Sequence, residues 1–280
     1  MKNSIAVILL LTLNSLLLAQ EQEPATEAGE DFDLSGVIGI FEESEDLEDF
    51  EKKINSEEND VNNLDLNKDD EVDIVKVVEY AEDNTHLLVL QAVLGDNDFQ
   101  DIATIELEKH SDEEISLQVI GDPDIYGPDY IIEPAPEEGS INKVYSTMAV
   151  FVSVRLWRPV KVIYRPGRVI FVSAVVFRPR PAWYRVRRPI ARSSWRARAA
   201  RWHSPRVRHT RARHSTRGRN MYSSRRRTSP VAKNNFGPKP GPNTGPNTGP
   251  SNQKKRYTAT SPNQQQKKKT TNSQQKRKRH

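Results

Sequence analysis

The segment Ile102–Glu108, which reads IATIELE, alternates apolar and polar side chains and therefore predicts a β-strand with one face on a core. Three further segments have strand character: Ile74–Tyr80, His86–Leu94 and Ile115–Ile120. The connections between them are short and rich in Asp, Asn, Gly and Glu, which favours antiparallel neighbours. We expect a meander of three or four strands, with the polar face of Ile102–Glu108 open to water.

Two short helices are predicted ahead of the first strand. Residues 34–41 carry apolar side chains at i, i+3, i+4 and i+7, with Asp33 or Ser35 available as N-cap. Residues 47–54 repeat the helical spacing, with Ser44 as the predicted N-cap. The sequence thus predicts a small α+β domain in which two helices pack on a three- to four-stranded antiparallel sheet.

Charge divides the chain into two halves. All 38 acidic residues lie at or before Glu138, where they follow residue 20 and accompany five Lys, whereas Gly139–His280 holds 36 Lys and Arg and no acid. The formal net charge of +4 therefore describes neither half. The predicted divisions are a signal peptide at 1–19, an acidic linker at 20–30, the α+β domain at 31–136, an apolar and basic strand region at 144–178, and a disordered Arg- and Lys-rich tail at 179–280 containing a GPNT repeat.

The N-terminus predicts export. Lys2 precedes the apolar run Ile5–Ala19, and the chain then turns acidic, as is typical of a secretory signal peptide cleaved near Ala19. A membrane anchor would need about 20 apolar residues, so we expect a mature chain without a transmembrane helix, located in the periplasm, on the cell surface or outside the cell. The absence of Cys excludes disulfides, thiolate metal sites and a Cys nucleophile.

The segment Asp65–Asp73, which reads DLNKDDEVD, has the pattern of a calcium loop. Ca²⁺ takes six to eight oxygen ligands, and such loops supply side-chain oxygens at positions 1, 3, 5 and 9 and a carbonyl at position 7. The predicted ligands are Asp65, Asn67, Asp69, the carbonyl of Glu71, and Asp73.

Two departures from that pattern predict weak binding. Position 6 is Asp70 rather than Gly, and position 12 is Lys76 rather than a bidentate Glu. Affinity would then lie at about 10⁻⁴ to 10⁻³ M, as in extracellular modules. Two alternatives stay open: a solvated acidic surface, and a loop that keeps the turn without the ion.

The region 144–178 is apolar and β-branched but interrupted by Arg, Lys and Trp. Its composition predicts a β-hairpin with Arg165–Arg168 as the turn. We expect this hairpin to pack on the sheet or to self-associate in preference to lying on a membrane.

The tail combines Arg with Trp and Tyr, a composition suited to anionic polymers because Arg binds phosphate, sulfate and carboxylate while aromatic rings stack. A solvated tail without a dedicated ligand is the alternative. For an exported chain, the expected partners are lipopolysaccharide, acidic polysaccharide, extracellular DNA, or the protein's own acidic domain, within one molecule or between molecules. The predicted contact residues are Arg178, Arg180, Trp183, Arg185, Arg187, Arg188, Arg196, Arg198, Arg201, Trp202, Arg225, Arg226 and Arg227.

The chain resembles a group of uncharacterised secreted bacterial proteins that share a signal peptide, a helix pair, a calcium-like loop similar to those of EF-hand and dockerin proteins, and an Arg-, Trp- and Tyr-rich C-terminal region. The resemblance implies no activity. It rests on the motifs LDLNKD (64–69), VDIVKV (72–77), VLQA (89–92), IEL (105–107), IGD (120–122), WRPV (157–160) and IYRP (163–166).

No catalytic constellation stands out: the sequence lacks a phosphate-binding Gly loop, a nucleophile elbow and a zinc helix motif. Three hypotheses follow. The first is a secreted, non-enzymatic binding or structural protein of the envelope or matrix. The second is a nucleic-acid-binding protein acting through the tail, and the third is a hydrolase in the acidic domain, which would show a deep pocket with clustered carboxylates.

Overall fold

A computed structural model describes Pro24 and residues 26–135, 154–203 and 207–236. The predicted signal peptide and the GPNT repeat lie outside these residues. All described residues belong to one compact unit. The described helices are α1 (Glu27–Glu30), α2 (Leu34–Glu43), α3 (Leu47–Ile54), α4 (Pro123–Tyr126), α5 (Arg158–Ile163), α6 (Arg192–Ala199), α7 (Thr216–Ser223) and α8 (Pro230–Phe236), and the strands are β1 (Val75–Glu82), β2 (Thr85–Val93), β3 (Phe99–Lys109), β4 (Ile115–Gly121), β5 (Ile131–Pro134) and β6 (Val207–Thr210).

The strands form one antiparallel sheet in the order β1-β2-β3-β4-β5-β6. The α+β class and the antiparallel arrangement are therefore confirmed. The strand number is larger than predicted because β5 pairs with β4 and β6 then pairs with β5. Strand β6 comes from the arginine-rich half, where the density of charge had predicted disorder.

One face of the sheet is apolar and is covered by helices α2, α3 and α5. Phe41 and Phe50 lie edge to face on it, with ring centroids 5.2 Å apart, and Trp157 packs on Phe41 at 6.3 Å. Leu90 and Ile105 contribute the strand side of this core. Both helices predicted before the first strand are present, and their apolar stripes face the sheet as the spacing indicates.

The opposite face is polar but it is not wet, which corrects the prediction for Ile102–Glu108. Thr104 and Glu106 are buried. Helix α7 lies over this face, where Met221 and Tyr222 pack on Leu87 and its neighbours. The sequence could not show this cover because it comes from residues more than 100 positions away.

Order begins earlier than predicted, inside the predicted acidic linker. Thr26 caps α1 by accepting a hydrogen bond from the N–H of Gly29, and its hydroxyl donates to the carbonyl of Ile125 at 2.8 Å. The indole N–H of Trp195 donates to the carbonyl of Glu30 at 2.9 Å. These long-range partners hold a segment whose composition alone predicted a spacer.

The N-cap of α3 is Asp46 rather than Ser44. The Asp46 carboxylate accepts a hydrogen bond from the N–H of Asp49 at 2.9 Å. The Ser44 hydroxyl instead donates to the carbonyl of Ile40 at 2.6 Å, at the end of α2. Asp46 is the better N-cap because it directly precedes the helix and its negative charge interacts favourably with the positive end of the helix dipole.

The predicted β-hairpin at 144–178 is wrong for its described part, residues 154–178. The turn at Arg165–Arg168 exists, with Gly167 at a φ of 74°. The residues before it form α5, which begins with Pro159 in its first turn and buries Val160 and Ile163. The residues after it run along β1 with a single bridge, Val172 to Val78.

The expected disorder of the arginine-rich tail is wrong for 179–203 and 207–236, which contain α6, β6, α7 and α8. Burying a carboxylate alone is costly, and a nearby guanidinium offsets that cost. The arginines therefore order the segment rather than solvate it. Within the described ranges, no helix has both the length and the hydropathy that crossing a membrane requires.

Candidate functional site

The predicted calcium loop, Asp65–Asp73, is closed by its own side chains. The Asp65 carboxylate accepts hydrogen bonds from the backbone N–H groups of Asp69 and Asp70, at 3.0 and 3.2 Å. Asp69 accepts one from the N–H of Glu71 at 2.9 Å. These bonds satisfy backbone donors that the turn would otherwise leave unpaired.

Asp70 occupies the position where the calcium-loop pattern has glycine. Its φ is 63°, and the φ of Lys68 is 58°. Both values lie in the left-handed region, which costs free energy for residues with a side chain but less for Asp than for most. The sharp turn expected from the pattern is present without its glycine.

Positive charge reaches this loop from the arginine-rich half. A guanidinium nitrogen of Arg180 lies 3.3 Å from the Glu71 carboxylate. The Tyr184 hydroxyl donates to the carbonyl of Val72 at 2.5 Å, and the N–H of Val72 donates to the carbonyl of Arg187 at 2.8 Å. The two segments are held together by main-chain bonds as well as by charge.

The loop crowds its carboxylates. Burial raises the pKa of Asp73 well above its ordinary value, the charges of Asp65 and Asp69 raise it further, and Arg180 acts against both. Burial also raises the pKa of Asp65. Across the described ranges, no group of three or more His, Cys, Asp or Glu side chains is arranged to hold a metal ion. Metal binding by Asp65, Asn67, Asp69, Glu71 and Asp73 stays a prediction.

Five of the arginines predicted to bind a polyanion are paired with carboxylates of the same chain. Arg226 contacts Asp122 at 2.6 Å and Asp124 at 2.7 Å. Arg196 contacts Glu30 at 2.5 Å. The other pairs are Arg180 with Glu71, Arg198 with Asp60, and Arg201 with Asp60.

Four more of the predicted arginines contact backbone or rings. Arg187 donates to the carbonyl of Asn62, and burial lowers its pKa. The guanidinium of Arg225 lies 4.9 Å from the centroid of the Tyr80 ring, and that of Arg227 lies 5.5 Å from the Phe99 ring. The guanidinium of Arg178 lies 5.2 Å from the Phe177 ring centroid. Like Arg185 and Arg188, Arg178 is exposed and has no carboxylate partner among the described residues.

Both tryptophans predicted to stack on a ligand are half-buried against residues of the protein itself. Trp202 donates its indole N–H to the carbonyl of Asn59 at 2.6 Å. Its ring covers Gly39, where an added Cβ would lie 2.7 Å from it, so only glycine permits this approach. Trp183 packs edge to face on Tyr184 at 6.2 Å.

Sequence reasoning missed the arginines that neutralise the buried acids of the sheet. Arg213 forms a two-pronged contact with Glu106, with its Nε 3.0 Å from one carboxylate oxygen. Gly218 of α7 lies directly over the same carboxylate, and a Cβ there would be 2.6 Å from it. Arg208 pairs with Glu133 at 2.7 Å. Arg168 likewise pairs with the buried Glu79, whereas Arg192 pairs with the half-buried Asp31 and Arg217 with the exposed Asp83.

Glu79 shows how strong this neutralisation is. Its side chain is fully buried and accepts hydrogen bonds from Arg168 at 2.6 and 2.8 Å, from His86 at 2.9 Å and from the N–H of Phe171 at 2.7 Å. Burial by itself would raise the pKa of Glu79, but these donors hold it at about 2. The carboxylate therefore stays charged inside the fold.

Histidines of the arginine-rich half also contact acids. His203 lies 3.0 Å from Asp33, and His214 lies 2.8 Å from Glu133. The one sequence signal that could have indicated all these pairs is the near balance of 38 acidic against 42 basic residues in separate halves.

The described residues together carry a small net negative charge. They hold 34 Asp and Glu against 28 Lys and Arg. The segment Gly237–His280, outside the described ranges, holds 11 Lys and Arg and no acid. The surplus positive charge of the chain therefore lies beyond α8.

A cleft of about 570 Å³ opens between α1, α2 and α6. Aromatic rings of Phe32, Tyr126, Tyr130 and Trp195 line it, together with polar groups that include Asp33. The Tyr126 hydroxyl donates to the carbonyl of Phe32 at 2.6 Å, which ties part of the lining to the fold itself. The volume is in the range of small-molecule sites.

Comparison with known proteins found no family model, no curated protein and no solved structure that matches this chain. The main functional clue is therefore the set of ion pairs between the arginine-rich half and the carboxylates on the polar face of the sheet.

Proposed function

We propose that this chain is an exported, non-enzymatic binding protein of the cell envelope or extracellular matrix. Its described part is a scaffold whose opposite charges compensate one another, and its surplus cations, concentrated in Gly237–His280, bind an anionic polymer. The pairing of Arg residues with buried carboxylates is the observation that carries the proposal, because it removes those cations from the ligand-binding surface.

A paired arginine is a poor ligand contact for energetic reasons. Removing Arg213 from Glu106, or Arg226 from Asp122, would leave a buried carboxylate uncompensated, at a cost of about 3–5 kcal/mol. A cation without a buried carboxylate partner has no such cost. An anionic polymer should therefore engage the uncompensated Lys and Arg first.

The partner in this proposal is an acidic polysaccharide or lipopolysaccharide. The cation runs Lys254–Arg256, Lys267–Lys269 and Lys276–Arg279 are spaced by uncharged residues, which suits repeating anionic groups on an extended chain. Binding of this kind releases counterions and weakens steeply with salt. Duplex DNA shares the chemistry, so it belongs in the test as a separate arm.

The test compares two variants of the whole chain that lose equal charge. One carries Lys267→Gln, Lys268→Gln and Lys269→Gln, and the other carries Arg178→Gln, Arg185→Gln and Arg188→Gln. Affinities for an acidic polysaccharide, for lipopolysaccharide and for duplex DNA are measured at several salt concentrations. We expect the Lys variant to lose several-fold affinity for polysaccharide and lipopolysaccharide, with a shallower salt slope, and the Arg variant to stay close to wild type.

A larger loss in the Arg variant would move the binding surface to the folded part and overturn the proposal. Binding to duplex DNA alone would favour the nucleic-acid hypothesis. The absence of salt-dependent binding to all three polymers would remove polyanion recognition from the function.

Weak Ca²⁺ binding by Asp65–Asp73 is a second, finer proposal. Burial is the main cause of the raised pKa values of Asp65 and Asp73, and repulsion from neighbouring carboxylates raises them further. A bound cation would relieve that repulsion, which supports the proposal. Arg180 already supplies part of that relief. The ion and the arginine-rich segment should therefore compete for the loop.

A further inference from the structure

One edge of the sheet carries an apolar stretch, residues 169–177. It runs antiparallel to β1, and in the described part of the chain its β-pairing is a single bridge between Val172 and Val78. The outer side of this stretch is exposed: Val169 is 84% and Val172 83% accessible, and Val176 50%. From Ile170 onward exposure alternates as it does along a strand: Ile170, Val172, Ala174 and Val176 are exposed, whereas Phe171, Ser173, Val175 and Phe177 are buried or half-buried.

The edge lacks the usual protection. Sheet edges in soluble proteins carry charges, prolines or bulges that prevent pairing with another chain. Residues 169–177 contain no charge and no proline, and the flanking prolines are Pro166 and Pro179. Val, Ile and Phe make up most of the stretch, and these residues favour strands.

We infer that this edge binds a second copy of the same chain through antiparallel pairing centred on Ser173. In that register Val172 of one copy lies opposite Ala174 of the other, and Ile170 lies opposite Val176. Each of these opposed pairs is apolar, so the surface is complementary to itself across a two-fold axis.

The scarcity of free cations beside the stretch favours a second copy of the chain over an anionic surface as the partner. Next to the stretch, Arg168 is already held by Glu79 at 2.6 Å, which leaves Arg178 as the flanking cation without a carboxylate partner among the described residues. The proposed register brings Arg178 of one copy toward Arg168 of the other. Their partial repulsion is screened by salt, so the dimer should strengthen as salt rises, whereas Arg-mediated binding to anionic lipid should weaken.

The contact is small. It uses a few aliphatic side chains and one run of backbone hydrogen bonds, which places it with weak, reversible interfaces, at a Kd on the order of micromolar. The proposal is independent of the polymer-binding function, because it uses none of the cations in Gly237–His280.

Sedimentation velocity over a range of protein concentrations tests it on the whole chain. We expect a monomer–dimer equilibrium that tightens in high salt. Val172→Lys, which places a charge on the outer side of the edge, should weaken dimerisation by about tenfold or more. Val231→Lys on α8, an exposed valine outside the stretch, should leave the equilibrium unchanged.

Circular dichroism and thermal melting establish that each variant is folded, and Ala174→Lys serves if Val172→Lys is not. A wild-type chain that stays monomeric at all concentrations would overturn the inference, as would a dimer that both edge variants leave intact. Vesicles of anionic phospholipid form the last arm. Salt-sensitive binding to them that Val172→Lys abolishes, without any dimer in solution, would assign the edge to a lipid surface instead.

Discussion

The two faces of this sheet are covered by different kinds of interaction. On one face, Phe41, Phe50 and their neighbours pack on strand side chains such as Leu90 and Ile105. On the other face, carboxylates such as Glu106 meet arginines from a distant part of the chain. Apolar burial is non-directional and proportional to area, whereas each buried carboxylate needs a donor at one position.

This difference determines which segments of the chain can pack on each face of the sheet. Many helices with an apolar stripe could cover the first face, but only a segment with cations at matching positions can cover the second. Three arginines that follow one another along the chain each pair with a buried acid. The pairs are Arg208 with Glu133, Arg213 with Glu106, and Arg226 with Asp122. Such pairs contribute little net stability compared with apolar replacements, but they penalise a wrong alignment.

The largest expected effect comes from breaking one such pair. Arg213→Met should lower the free energy of unfolding by about 3–5 kcal/mol, because Glu106 would remain buried without its donor. The double variant Glu106→Leu with Arg213→Met should recover most of the loss, since it makes this part of the face apolar. Urea unfolding of the wild type, both single variants and the double variant gives the four free energies required. A small effect of Arg213→Met would mean that the polar cover is peripheral to stability.

The next effect is the pH dependence that Glu79 confers. Its pKa is held at about 2 in the folded chain, against an ordinary value of 4.5. The unfolded chain therefore binds the proton more readily, so the stabilisation is complete above about pH 4.5 and is lost as the pH falls through about 2. The loss amounts to about 3 kcal/mol, taking 1.4 kcal/mol for each pH unit.

Glu79→Gln should remove this acid-limb dependence, measured as the difference in unfolding free energy between wild type and variant from pH 6 down to pH 2. Glu48→Gln, which removes an exposed acid paired with Lys52, is the control and should change little. Equal slopes for wild type and Glu79→Gln would show that the network of Glu79 with Arg168 and His86 does not persist in solution.

The smallest expected effect concerns the loop Asp65–Asp73 and its neighbour Arg180. Removing that cation by Arg180→Gln leaves Asp73 with the repulsion of Asp65 and Asp69, so millimolar Ca²⁺ should stabilise the variant by about 1 kcal/mol more than the wild type. Thermal melting with Ca²⁺ and with Mg²⁺ measures this, and Arg185→Gln is the matched control. A melting temperature that does not respond to Ca²⁺ in any of the three proteins would leave the loop as a turn without an ion.

The elements that local pattern could predict share a physical basis. Strands β1 to β4 and helices α2 and α3 have apolar side chains at the period of their own backbone, and that period is set within a few residues. The prediction failed where the deciding partner was distant. Helix α1 depends on Trp195, and the cover of Glu106 depends on Arg213 and Gly218.

The candidate site divides in the same way. The oxygen-rich turn at Asp65–Asp73 was predictable, because Asx turns are local and the pattern of acids is visible in the sequence. The docking of Arg180 and Tyr184 on that turn was not predictable, since no periodicity connects residues more than 100 positions apart.

By itself, the sequence determined the α+β class, the antiparallel order of the first four strands, and the segregation of acids from bases. Only the tertiary structure decided that most of the described arginines pack on the fold rather than form a solvated tail. The reason is that composition counts charges, whereas burial of a carboxylate depends on whether a guanidinium lies within hydrogen-bonding distance of it. That distance is set when the chain closes on itself.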